Sequence, residues 1–228
     1  MSDSSSEPGV ERAAVVDACR RLAAAGLLIG TAGNVSARVG ERVAITATGA
    51  VLAELTADQV TVVDLDGRIV AGTLRPTSEL DLHLGVYRRY GTGAVVHTHA
   101  PMATALSCVL EELPCIHYQL LTLGGSVRVA PYATFGTPEL AASVLDALDG
   151  RAAALMANHG ALTHAPTLGQ AVEHALLLEW ACGVYQRAAA LGTPRVLDEG
   201  RQLAVIEAAI ARDYGTTHPV PPAQEGHR

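Results

Sequence analysis

Apolar residues open the chain at Val10, Ala14, Val15, Ala18, Leu22 and Ala25, the three-and-four spacing of one helix face, and Gly26 offers a stop. This spacing predicts a helix over 10–25. The period then changes. Short runs at 35–39, 43–46, 60–64 and 68–71 are rich in valine, isoleucine and threonine, and Asp66-Gly67 joins the last two as a hairpin turn. The first third is therefore expected to be mostly antiparallel sheet. Helical spacing returns at Leu80, Leu84 and Tyr87, with Thr77 or Ser78 as the cap and Gly91 as the stop. A continuous apolar run follows, Ala94-Val95-Val96, which reads as a buried strand and ends in His97-Thr98-His99. Beyond Pro101 the same reading gives a helix over 102–110, a strand over 127–130 after Gly124-Gly125, and a helix over 137–148 opened by Thr137-Pro138-Glu139. A short strand over 153–156, a long helix over 167–190 and a last helix over 203–211 complete the pattern.

Composition narrows the function classes. At 228 residues the chain is long enough for one substantial domain, and no shift in composition divides it. Its 49% hydrophobic content is mostly alanine and valine within periodic segments, and no run reaches the roughly 18 apolar residues of a membrane helix. Ser2 through Glu7 are polar or acidic, unlike a signal peptide. These features predict a cytoplasmic protein with no membrane partner, a disordered start over 1–8, one domain over 9–215 and a mobile tail over 216–228. A net charge of −7 without a basic stripe argues against nucleic acid as a partner. Cys19, Cys108, Cys115 and Cys182 are scattered and read as small core residues. The chain has no lysine: all 16 basic side chains are arginine. Lysine Schiff bases, pyridoxal phosphate attachment and a P-loop lysine are thereby excluded.

Histidine carries the candidate chemistry. On a strand His97 and His99 point to one face from Cα atoms about 6.5–7 Å apart, close enough to converge on one metal ion. The alternative is that one of them satisfies a core hydrogen bond, since a buried neutral imidazole needs a partner. His159, in Asn158-His159-Gly160, ends the 153–156 strand, and Glu79 heads a helix. Three imidazoles would leave a zinc ion an open position, with Glu79 as a fourth ligand or an adjacent base. The turn Gly33-Asn34-Val35-Ser36 lets the backbone approach a ligand closely, although an ordinary hairpin lead-in looks the same; Thr48-Gly49 is another hydroxyl beside a glycine; and the N–H groups and two hydroxyls of the helix start at Thr77-Ser78 would suit an anion. His83, His117, His164, His174, His218 and His227 lack paired spacing and read as structural or surface residues.

Taken in order with Ile116-His117-Tyr118 and the run from Ala130 through Thr137, these motifs resemble the class II aldolase/adducin family over about residues 10–215. The resemblance implies a single α/β domain with a central, mostly antiparallel sheet flanked by helices. It implies a homotetramer with active sites at subunit interfaces. It also implies one zinc ion per subunit held by His97, His99 and His159, with Glu79 as ligand and catalytic acid/base. Gly33, Asn34, Thr48, Gly49, Thr77 and Ser78 fall on the family's phosphate cradle. Tyr118 matches a proton donor that reaches the neighbouring subunit's site, and Tyr214 a tyrosine near the aldehyde pocket.

The implied reaction is retro-aldol cleavage of L-fuculose 1-phosphate, or a close deoxyketose 1-phosphate such as 5-deoxyribulose 1-phosphate, to dihydroxyacetone phosphate and a small aldehyde. Without lysine, a metal must serve as the electron sink. A carboxyl near its usual value of about 4.3 is a poor proton carrier at neutral pH; displacement of Glu79 from the metal into a desolvated pocket would raise it, as the role requires. A ribulose-phosphate 4-epimerase, which typically has aspartate at the position of Glu79, and a methylthioribulose-phosphate dehydratase are the alternatives within the family. A metal-dependent hydrolase and a non-catalytic, adducin-like interaction module are the alternatives from other classes.

Overall fold

In the computed structural model, which describes residues 8–217, the valine-rich runs join one nine-stranded sheet. The strands are β1 (Asn34–Val39), β2 (Arg42–Thr46), β3 (Val60–Asp64), β4 (Ile69–Ala71), β5 (Ala94–Thr98), β6 (Glu112–Leu113), β7 (Val127–Ala130), β8 (Ala153–Met156) and β9 (Gly160–Ala165). Their order is β4-β3-β2-β1-β5-β9-β8-β7-β6. Every neighbouring pair is antiparallel except β7 and β8. The helices are α1 (Pro8–Ala24), α2 (Leu80–Tyr90), α3 (Pro101–Ser107), α4 (Pro138–Ala147), α5 (Leu168–Leu191) and α6 (Glu199–Ala211). The β7–β8 pair is parallel because α4 carries the chain back to the starting edge, as a parallel connection requires.

Strand alternation divides the core between two faces. Val35, Ala37, Ala44, Val62, Ala94 and Val96 point to one side, where α1, α3 and α5 supply Val15, Leu22, Leu106 and Leu178. Val43, Ile45, Val63 and Val95 point to the other, against Leu82, Leu84 and Val86 of α2 and Leu140 and Val144 of α4. Each of these large buried side chains contributes about 1.5–3 kcal/mol. By the same parity Asn34 and Ser36 of β1 and His97 of β5 lie on the α2–α4 side, polar residues beside the apolar Val43, Ile45 and Val95. The register sets Asn34 opposite His97, and His97 opposite Leu162 of β9, so the first histidine sits at the end of a central strand.

Several expectations need correction. Neither Thr77 nor Ser78 caps α2: Glu79 takes that position, with its carboxylate turned away from the helix end, while the Thr77 hydroxyl accepts the Glu79 backbone N–H at 3.2 Å. The helix after Pro101 stops at Ser107, and α6 begins at Glu199 because the Asp198 carboxylate accepts the Arg201 N–H at 2.9 Å. Strand β9 went unpredicted. Cys108 is exposed, whereas Cys19, Cys115 and Cys182 are buried. Pro8, read as part of a disordered start, begins α1. Residues 1–7 and 218–228, and with them His218 and His227, lie outside the described residues. Among the described residues no helix is long and apolar enough to cross a membrane.

Candidate active site

Three strand ends bring the histidines together. His97 is the fourth residue of β5, His99 lies just beyond that strand, and His159 sits in the tight turn between β8 and β9. The turn is possible because Asn158 adopts a left-handed conformation (φ 56°). A ligand nitrogen from each of the three lies within 4.8 Å of the others. The Nε2 atoms of His97 and His99 are 3.1 Å apart. From α2, Glu79 places Oε2 3.2 Å from His97 Nε2 and Oε1 3.6 Å from His159 Nε2.

These separations fit a metal ion. Four ligands at the usual zinc bond lengths of about 2.0–2.1 Å stand some 3.3 Å from one another in a tetrahedron. His97 donates its Nδ1–H to the Ala161 carbonyl at 2.9 Å, which leaves the Nε2 lone pair for the site. Burial and the neighbouring imidazoles pull His99 down to about 4 and hold His159 below its ordinary value, so both keep neutral, metal-binding rings. Glu79 Oε1 is buried and has no hydrogen-bond partner, an orphan that a cation would satisfy. His97, His99 and His159 would hold the ion, and Glu79 would stand as a fourth ligand or beside it.

A cavity of about 300 Å³ opens in front of this cluster. It brings Gly33, Asn34, Thr48, Gly49, Thr77, Ser78 and Glu79 together with His99 and His159. Gly33 has φ +97°, and a Cβ there would stand 2.8 Å from the His97 carbonyl oxygen, so the turn reaches this close to β5 only as glycine. Asn34 uses both ends of its amide inward: Nδ2 donates to Glu79 Oε2 at 2.8 Å and Oδ1 accepts from His83 Nε2 at 2.5 Å. Its side chain is therefore tied to Glu79, whereas Thr48, Thr77 and Ser78 line the cavity. Burial raises the Glu79 carboxyl, but the nearby His97, the Asn34 hydrogen bond and the nearby His159 outweigh it and hold the group below its ordinary value. The raised carboxyl expected of a proton carrier is thus not the state of this arrangement, because the opposing groups are within reach.

Residues 13–186 match the model described as the Class II Aldolase and Adducin N-terminal domain. The chain belongs to that family. Among its relatives, the 5-methylthioribulose-1-phosphate/5-deoxyribulose-1-phosphate aldolase of Rhodospirillum rubrum is 36% identical over 214 residues, 93% of this chain and 96% of the relative. The L-fuculose phosphate aldolase of Escherichia coli is 37% identical over 194 residues, 84% of this chain and 90% of the relative. A solved structure of L-fuculose 1-phosphate aldolase superposes with a TM-score of 0.84 at 34% identity, covering 91% of this chain and 97% of that one. The mixed sheet flanked by helices is the class II aldolase fold.

Not every site residue expected of a class II aldolase gathers here. Tyr118 and Tyr214 do not line this cavity; their hydroxyls lie 3.2 Å apart at a separate groove between α6 and the short 3₁₀ helix Tyr118–Leu123. Both rings are exposed. Sequence reasoning passed over Tyr132 and Phe135, whose exposed rings line the cavity, and His83, which is wholly buried behind Asn34. A signal for His83 existed, since it follows Glu79 by four residues and so shares its face of α2.

Proposed function

We propose that this class II aldolase-family chain is a zinc-dependent aldehyde-lyase that cleaves a 1-phosphorylated deoxyketose to dihydroxyacetone phosphate and a small aldehyde. The observation that carries this reading is a cluster of three imidazoles and a buried carboxylate with an unpartnered oxygen, which opens through His99, His159 and Glu79 on a cavity rimmed by glycines and hydroxyl-bearing residues. When bound, the ion supplies the Lewis acidity that polarises the ketone and offsets the charge developing on its oxygen. Gly33, Thr48, Gly49, Thr77 and Ser78 hold the phosphate through backbone N–H groups and hydroxyls, which lets an acidic protein bind an anion. Glu79 carries the proton to and from the carbon that loses its bond to the aldehyde half. Without the lowering influence of His97 and His159, burial, the largest influence on the carboxyl, raises it toward a working value.

On the aldehyde side, Tyr118 and Tyr214 of a second copy serve as the proton carriers at the leaving oxygen. Support comes from their distance from the cavity within one chain, their exposure, and the exposed Ile206 and Ile210 beside them, an apolar surface suited to a homo-oligomer, which we take to be a tetramer. 5-Deoxyribulose 1-phosphate is the favoured substrate, since the relative named for it matches nearly the whole chain, the C-terminal part included. L-Fuculose 1-phosphate is the second reading, supported by the structural likeness.

A coupled assay for released dihydroxyacetone phosphate, run on both sugars with and without a chelator, tests the proposal. Chelator-sensitive release, faster from 5-deoxyribulose 1-phosphate, is expected. Release from neither sugar would overturn the reading in favour of the family's epimerase and dehydratase chemistries.

A further inference from the structure

Five buried side chains, two lining the cavity and three behind it, form one unbroken run of hydrogen bonds. The Tyr87 hydroxyl lies 2.6 Å from Ser36 Oγ, and Ser36 Oγ lies 2.7 Å from His83 Nδ1. His83 Nε2 lies 2.5 Å from Asn34 Oδ1, and Asn34 Nδ2 lies 2.8 Å from Glu79 Oε2. None of the five is more than 6% exposed. His83, Ser36 and Tyr87 do not touch the cavity itself.

The run has a single polarity, and it can be read from the carboxylate end. Glu79 can only accept, so Asn34 must turn its Nδ2–H toward it and present Oδ1 to His83. His83 Nε2 must then donate. Its other nitrogen, on a ring that burial keeps neutral down to about 3, carries a lone pair and accepts the Ser36 hydroxyl proton. With its proton committed, Ser36 Oγ accepts from Tyr87. Every donor points toward Glu79.

Packing alone does not call for this arrangement. The surrounding face of the sheet is filled by Val43, Ile45, Val63 and Val95, and apolar residues would fill these positions at lower desolvation cost. An asparagine amide is nearly symmetric in shape, so only its neighbours decide which end faces Glu79. Turned over, it would set a carbonyl oxygen against a carboxylate oxygen. The His83 N–H holds the other end, since the turned-over amide would also set its NH₂ group against that donor.

We propose that His83 is the positioning residue for Glu79: its Nε2–H orients the Asn34 amide, which anchors Oε2 of the carboxylate and leaves Oε1 as the oxygen free to move a proton. The assignment rests on the reading of Glu79 as the proton carrier. Tyr87 and Ser36 act one step further back, by fixing which ring nitrogen of His83 holds the hydrogen.

Two substitutions and one spectrum test it. His83→Phe keeps a ring in place and removes the donor, whereas His83→Gln keeps an N–H. His83→Phe is expected to lower kcat by about 10- to 100-fold, the range typical of outer partners of a metal site, with KM and bound zinc unchanged. His83→Gln is expected to recover most of that loss. Full kcat in His83→Phe, or a rise in KM and a loss of zinc as large as the fall in kcat, would overturn the proposal. If His83→Phe does not fold, nitrogen NMR of isotope-labelled histidines in the unaltered full chain decides. The Nε2–H tautomer at neutral pH is expected, and an Nδ1–H tautomer or an imidazolium would refute it. An unaltered chain that cleaves neither sugar would remove the aldolase reading, while the tautomer would still decide the hydrogen-bond assignment.

Discussion

Replacing Gly160 by alanine adds one methyl group at the joint that aligns the histidines. Gly160 opens β9 directly after His159, and a Cβ there would lie 2.3 Å from the backbone oxygen of Thr98 and 3.4 Å from His97 Cε1. Real Cβ atoms essentially never approach within 3.0 Å, so β5 and β9 must part by at least about 0.7 Å. Backbone supplies the clash, so no side chain can swing aside. The same displacement would stretch the 2.9 Å bond from His97 Nδ1 to the Ala161 carbonyl to a length at which little of it survives. Overpacking of this kind costs about 1–3 kcal/mol. An unsatisfied buried donor adds roughly 1–3 kcal/mol. At about 2–4 °C per kcal/mol for a chain of this size, Tm should fall by roughly 4–24 °C. Zinc affinity should fall as well, because His159 moves with the turn. Gly169→Ala is the control: nothing lies within 4 Å of a Cβ there, and in the first turn of α5 alanine should be neutral or stabilising by up to about 1 kcal/mol. Thermal melts and zinc titration of both variants make the comparison. A Gly160→Ala protein with unchanged Tm and zinc affinity would refute the claim that this strand contact sets the site.

Three further outcomes follow from the same geometry. Glu79→Gln retains a carbonyl that can accept the Asn34 N–H and leaves the three imidazoles in place, so zinc should stay bound while kcat falls by about 10²- to 10⁴-fold in the coupled cleavage assay; undiminished turnover would remove Glu79 from the chemistry. Acid should weaken the fold through His83, whose folded pKa is depressed from 6.5 to about 3. The unfolded chain binds that proton first, so this contribution is complete above the unfolded value and is lost as pH falls below it, by about 2 kcal/mol between pH 7 and pH 5. Urea unfolding of the unaltered chain and of His83→Phe should show the steeper pH dependence in the former, and parallel profiles would contradict the assignment. Tyr118→Phe should slow aldehyde release more than proton exchange on dihydroxyacetone phosphate, and equal losses would count against an aldehyde-side role.

What the sequence revealed followed from periodicity, and what it hid followed from contacts between distant segments. His97 and His99 were legible because a strand fixes alternate residues to one face, and Glu79 because a helix start could be recognised ahead of Leu80, Leu84 and Tyr87. Strand β9 was hidden because Gly160 and the polar Thr163 and His164 dilute its apolar pattern; it is a strand because β5 and β8 hydrogen-bond it on both sides. Without it, the distance between His159 and His97 was not readable. The relay behind Glu79 was half visible. Glu79, His83 and Tyr87 recur every four residues, and Asn34 and Ser36 every two, so each set marks one face. That the two faces meet is a fact of how α2 packs over β1. Tyr118 and Tyr214 are 96 residues apart, and nothing in their spacing announces that their hydroxyls adjoin.

The central claim is that three imidazoles hold a metal ion against which Glu79 exchanges a proton on the dihydroxyacetone phosphate half. Its most direct measurement is hydrogen–deuterium exchange on dihydroxyacetone phosphate in heavy water, followed by NMR with the metal-stripped chain and again after one equivalent of zinc is restored. The account predicts stereospecific loss of one hydroxymethyl proton signal with zinc and none without it. Exchange that proceeds equally in the stripped chain, or that never appears with zinc bound, would contradict it.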